Sequence, residues 1–123
     1  MPWVLDTDRP IYAQLVEKIQ LDIVSGRYEA GDKLPSVREL AAEASVNPNT
    51  MQKAMQELER IGLVFAQRTS GRFITEDSQM IQQLKEELAS AQIKDFFQKM
   101  MQLGFKKDEM MQMIEKALED EKS

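Results

Sequence analysis

Apolar residues recur every four positions near the start of the chain, at Ile11, Leu15, Ile19 and Ile23, with Tyr12 and Val16 beside them. That spacing predicts one amphipathic helix. Pro10 suits its first turn, where a missing N–H costs nothing, and Ser25-Gly26 marks its end. GRYEAGDK then reads as a turn-rich connector. Ser36-Val37-Arg38-Glu39 fits the capping-box pattern S-x-x-E, in which the hydroxyl accepts the Glu39 N–H and the Glu39 carboxylate accepts the Ser36 N–H. The pattern predicts a short helix to about Ala44 that buries Val37, Leu40 and Ala41. Asn47 as N-cap and Pro48 at N1 predict another helix almost at once. It buries Met51, Ala54, Met55, Leu58 and Ile61, and Gly62 stops it. LVFAQ and RFIT then read as two short strands around the four turn residues RTSG, with Gly71 supplying a positive φ.

Helix, helix-turn-helix and hairpin, in that order, predict a winged helix-turn-helix over residues 1–76. Ile11, Leu15, Ile19, Leu40, Met51, Leu58 and Phe65 are its expected core. From Asp77 the character changes. Ile81, Leu84, Leu88 and Ala91 keep a three-four spacing that continues, in shifted phase, through Ile93, Phe96, Phe97 and Met100. One long helix is predicted from about Ser78 to Leu103. Gly104 breaks it, and a second helix carries Met110, Met111, Ile114, Ala117 and Leu118. The fold class is therefore mainly α with a small β-hairpin: a winged helix-turn-helix followed by a C-terminal two-helix hairpin at 77–123. Two helices alone bury too little apolar surface to be stable, so their faces need a partner. The expected solution is a homodimer built on Ile81, Leu84, Leu88, Phe96, Phe97, Met100, Ile114 and Leu118.

Charge looks at first like an objection to a nucleic-acid partner, because the 123 residues carry a net −5. Its distribution leaves only a weak objection. Residues 33–72 hold Lys33, Arg38, Lys53, Arg60, Arg68 and Arg72 against Glu39, Glu43, Glu57 and Glu59, a local +2 that leaves −7 on the rest. A phosphate backbone meets the local field, not the total. The absence of cysteine and histidine excludes disulfides, zinc sites of the usual Cys/His kind and any histidine general base. No apolar run is long enough to span a membrane, and MPWVLDTDRP lacks the basic start and apolar stretch of a secretory signal. The expected compartment is the cytoplasm.

If the second helix of the motif buries Met51, Ala54, Met55 and Leu58, its opposite face presents Asn49, Thr50, Gln52, Lys53 and Gln56. Amides can pair bidentately with adenine in a major groove, while hydroxyls and ammonium groups hold phosphates. Any solvated helix face has such residues, but this one stands where recognition residues sit. Arg38, in a first helical turn, opposes the helix dipole, so stability alone does not explain it. Its alternative use is a surface ion pair with Glu39 or Glu43. Arg68 and Arg72 flank the hairpin tip, which a wing brings beside the DNA backbone. The N-cap residues Ser36 and Asn47, with Arg38, Asn49, Thr50, Gln52, Lys53, Arg68, Ser70, Gly71 and Arg72, make up the expected contacts to double-stranded DNA. The methionines of the tail read as adaptable interface filler. No nucleophile–base pair or glycine-rich phosphate cradle is present, so no enzyme, cofactor or metal is expected.

The ordered motifs G-x-x-x-x-G-D-x-L-P-S-x-R-E-L-A from Gly26, then S-V-N-P-N-T, L-E-R-x-G-L-V and S-G-R-F-I, closely resemble the DNA-binding domain of GntR-family bacterial transcription regulators. The resemblance covers roughly residues 9–76. The two-helix tail looks like that of the YtrA-like subfamily, whose members lack a large effector domain and dimerise through those helices. By this resemblance Arg38 matches a DNA-contacting arginine, Asn49, Thr50 and Gln52 match recognition-helix positions, and Ser70-Gly71 matches the wing tip. Pro48 stands where relatives place a guanine-reading arginine, so their operator does not transfer. The implied function is a sequence-specific regulator, a repressor, acting as a homodimer on a palindromic operator. A small-molecule effector stays an open possibility. The alternative is a winged-helix module that docks a protein through its charged wing.

Overall fold

Helix α1 (Ile11–Val24) buries the stripe that its spacing predicts, with Leu15 and Ile19 fully enclosed, and Pro10 stands just before it as the N-cap. The computed structural model describes residues 3–122. Among them follow α2 (Val37–Ala44), α3 (Pro48–Arg60), β1 (Val64–Gln67), β2 (Gly71–Ile74), α4 (Ser78–Gln102) and α5 (Lys107–Glu121). The capping box forms: Glu39 N–H donates to Ser36 Oγ at 3.1 Å, and Ser36 N–H donates to Glu39 Oε1 at 3.3 Å. Ser45, in the left-handed region at φ 58°, ends α2 and lets α3 begin at Pro48. Helix α3 packs on both α1 and α2 through Met51, Ala54, Met55 and Leu58, each at 0% exposure. Burying a side chain the size of Met51, Met55 or Leu58 contributes roughly 1.5–3 kcal/mol. Ile61 is only partly buried.

The hairpin pairs antiparallel, from Val64 opposite Ile74 to Gln67 opposite Gly71. Its turn holds three residues, 68–70, not four, because Gly71 at φ 102° both closes the turn and takes the first strand position. Alternation along the strands decides which residues enter the core. Val64 and Ile74 face inward, 2% and 0% exposed. Phe65 and Phe73 therefore share the outer face, where their rings stack at 5.9 Å. Phe65 is 39% exposed, so its expected place in the core is corrected. A third segment joins the hairpin. Lys33 bridges Phe73, Leu34 N–H donates to Arg72 O at 2.8 Å, and Ile74 N–H donates to Asp32 O at 2.8 Å.

Gly71 carries the strictest backbone demand in this region. A Cβ added there would stand 3.2 Å from Lys33 Cε, on a backbone that L-residues rarely adopt. Gly71→Ala is therefore expected to destabilise the fold by about 1–2 kcal/mol. Urea unfolding checks this, and an unchanged midpoint would contradict it.

The N-terminal segment is fastened to α1 by Gln14, which is 5% exposed. Asp6 N–H donates to Gln14 Oε1 at 2.6 Å, and Gln14 Nε2 donates to Asp6 O at 2.8 Å and Arg9 O at 3.2 Å. Trp3 and Leu5 pack against the core beside it.

The chain divides into a compact unit ending at Lys85 and another beginning at Glu86. The first turns of α4 belong to the first unit, where Met80, Ile81 and Leu84 lie against the winged-helix core. Two residues expected at a dimer face, Ile81 and Leu84, thus give part of their surface to that core. In the second unit Gly104, at φ 95°, turns the chain between α4 and α5, and Met110 is buried at 2% exposure. Leu88, Met100 and Ile114 are half-buried there. Phe96, Phe97 and Leu118 are exposed, with Ile93, Met101 and Leu103 adding to the apolar surface.

Candidate nucleic-acid interface

The first turn of α3 is set by Asn47, whose Oδ1 accepts the Asn49 N–H at 2.7 Å. With that start fixed, burial of Met51, Ala54, Met55 and Leu58 turns Asn49, Lys53 and Gln56 to solvent and leaves Thr50 and Gln52 half-exposed. Asn49, Thr50, Gln52 and Gln56 make no side-chain hydrogen bond within the described chain, so their donors and acceptors are free for a ligand. Lys53 differs from them. Its ammonium sits 4.0 Å from the centroid of the Tyr12 ring, a cation–π contact that holds it against α1.

The start of α2 and the wing close on each other. Ser36, Arg38, Ser70, Gly71 and Arg72 line one cleft of about 420 Å³, together with Lys33, Leu34, Pro35, Val37 and Glu39. Residues assigned to DNA from two separate stretches of sequence thus meet in one concavity. Arg68 stands in the wing turn and is exposed outside that lining.

Arg38 is exposed and forms no ion pair among the described residues. Both carboxylates that could have neutralised it are engaged elsewhere. Glu39 completes the capping box, and Glu43 accepts from Trp3 Nε1 and Arg27 Nη2, each at 3.3 Å. Arg72 is not free: Glu59 on α3 takes its Nε–H, and the Arg72 side chain is only 22% exposed. This pair fastens the hairpin to α3. Arg60 is likewise held by Glu57, and that hydrogen bond keeps the Glu57 carboxyl below the ordinary carboxylate range. Two of the cations in the local charge balance are therefore internally compensated.

Lys33 and Glu59 were missed as parts of this site. A single bridged residue such as Lys33 leaves no periodic signal, and Glu59 reads only as an exposed helix position until the wing is folded back on it.

Lys53→Ala should weaken binding to specific and unrelated duplexes alike if Lys53 holds a phosphate, and lower the log–log salt slope by about one unit per contact. Titration by fluorescence anisotropy at several salt concentrations reads both. A loss confined to the specific duplex would show that Lys53 reads a base.

The profile described as "Bacterial regulatory proteins, gntR family" matches residues 11–74. The chain is 40% identical over 108 residues to the HTH-type transcriptional regulator YhcF of Bacillus subtilis, covering 88% of this chain and 89% of that one. It is 45% identical over 69 residues to the HTH-type transcriptional repressor YtrA of the same organism, covering 56% of this chain and 53% of that one. Among solved structures, a GntR family transcriptional regulator from Listeria monocytogenes superposes with a TM-score of 0.85 at 42% identity, over 91% of this chain and 98% of that one.

Proposed function

The chain belongs to the gntR family of bacterial regulatory proteins, and from that membership we propose that it is a repressor binding a palindromic operator in double-stranded DNA as a homodimer. It is a transcriptional regulator with a DNA-binding domain, not an enzyme. The observation that carries the finer reading is the cleft joining Ser36 and Arg38 to the wing tip, beside a helix face on which the Asn49, Thr50, Gln52 and Gln56 side chains make no hydrogen bond among the described residues. Helix α3 enters the major groove, with Asn49, Thr50 and Gln52 at base edges. Ser36, Asn47 and Lys53 hold the backbone, Arg38 pairs with a base, and Arg68, Ser70 and Gly71 follow the adjacent backbone or minor groove. Arg72, tied to Glu59, sets the wing's position.

Residues 1–76 carry this DNA-binding part and residues 77–123 the dimerisation part. Because Ile81 and Leu84 already lie on the first core, the self-pairing surface rests mainly on Leu88, Phe96, Phe97, Met100, Ile114 and Leu118. A two-fold pairing matches a palindrome, since each half-site meets the same face. A dimer seated on its operator excludes other proteins from that DNA, which is the simplest route to repression. The 45% identity to a named repressor supports the same direction. No helix among the described residues is long and apolar enough to cross a membrane. A DNA partner supports the reading of a cytoplasmic protein.

Selection of bound sequences from random duplexes tests the proposal. The expected pool converges on a palindrome with half-sites about one helical turn apart, or a multiple of it. A pool without enrichment, or one converging on a single asymmetric half-site, would overturn the palindromic reading.

A further inference from the structure

We propose that Lys33, on the short segment that pairs with β2, is a further contact to the DNA phosphate backbone and, with the unpaired Arg38, makes the cleft between α2 and the wing cationic. The proposal rests on the DNA-binding reading above and adds a residue to it. The cleft is lined by Lys33, Arg38 and Arg72 against one carboxylate, Glu39, and Arg72 is paired to Glu59. Counting Glu59, three cations face two carboxylates, and Lys33 and Arg38 are the two cations of the cleft without an ion pair among the described residues. The Asp32 carboxylate, next to Lys33 in the chain, instead accepts the Glu29 N–H at 2.8 Å.

Position is fixed by the main chain. The bridge to Phe73 and the two 2.8 Å hydrogen bonds on either side hold Lys33 at the hairpin edge. Its side chain then runs over Gly71, where even one added carbon would stand 3.2 Å from Cε. The missing side chain at Gly71 is what gives the lysine stem its path along the wing. An ammonium held there, within one concavity with the Ser36 and Ser70 hydroxyls, matches the needs of a phosphodiester oxygen. A phosphate contact of this kind positions the protein without reading sequence.

The test uses the full chain, an operator duplex recovered by selection and a scrambled duplex of equal length. Lys33→Met, which keeps most of the stem, and Lys33→Gln are compared with wild type across a salt series. Both variants are expected to weaken both duplexes by the same factor, about fivefold per bound chain near 0.15 M salt, and to lower the slope of log K against log salt by about 0.9 per bound chain. Lys33→Arg should restore both. Variants with the wild-type slope, or a loss confined to the operator, would overturn the role of Lys33 and leave the DNA-binding reading standing. A wild-type chain that binds neither duplex in a salt-dependent way would overturn that reading itself. Lys33 is exposed, so both variants should keep the wild-type melting midpoint. A drop shared by both would make Lys33 a structural residue and defeat the proposal.

Discussion

Arg38→Ala is expected to weaken operator binding by about 1–3 kcal/mol, the range for loss of a bidentate base contact, while the melting temperature stays nearly constant. The folded chain gives Arg38 nothing to hold: it is exposed, and Glu39 and Glu43 are committed elsewhere. Its place in the first turn of α2 even opposes the helix dipole, so removing it should cost the fold nothing. Affinity measured by anisotropy and stability measured by thermal unfolding separate the two effects. Unchanged affinity would remove Arg38 from the interface, and a large fall in melting temperature would make it structural.

A larger effect is expected from removing the second unit. A fragment of residues 1–85 retains the core from Leu15 to Ile74 and the helical turns that bring Met80, Ile81 and Leu84 against it. Ending at Asp77 would strip that cover, so the fragment runs to Lys85. It should fold and be monomeric, because the exposed Phe96, Phe97 and Leu118 are gone. Without a tether, the second half-site contact is no longer intramolecular, and affinity for the full palindrome should fall on the order of a hundredfold or more. Sedimentation and titration on one duplex read both points. A fragment that still sediments as a dimer, or a full chain that is monomeric at tens-of-micromolar concentration (about the loose end of specific association), would contradict the role given to residues 77–123.

The helices could be read from the sequence because each is set by local chemistry. The four-residue stripe gave α1, Ser36 and Glu39 opened α2, and Asn47 with Pro48 opened α3. What escaped is what only the folded chain brings together. Phe65 looked like core by composition, yet strand alternation turns it outward onto Phe73. Arg72 looked like a free cation, yet it meets Glu59, thirteen residues earlier in sequence, once the wing folds back on α3. Gln14 stood inside an apolar stripe with no local reason, and its reason is the backbone of Asp6 and Arg9. Ile81 and Leu84 fitted the periodicity of the tail, but periodicity shows only that a face is apolar, not what covers it. The solvent-facing side of α3 was readable, since its exposed residues follow directly from the buried set of that helix.

A chain of net charge −5 that grips a polyanion must do so through few, local contacts. The most direct test of that claim is the affinity of the full chain for the selected duplex, measured between about 50 and 200 mM salt. The expected result is a linear fall of log K with log salt, with a slope near −0.9 for each phosphate neutralised and several such contacts per dimer. Affinity that stays flat across that range would mean that the cleft and the recognition face do not hold DNA.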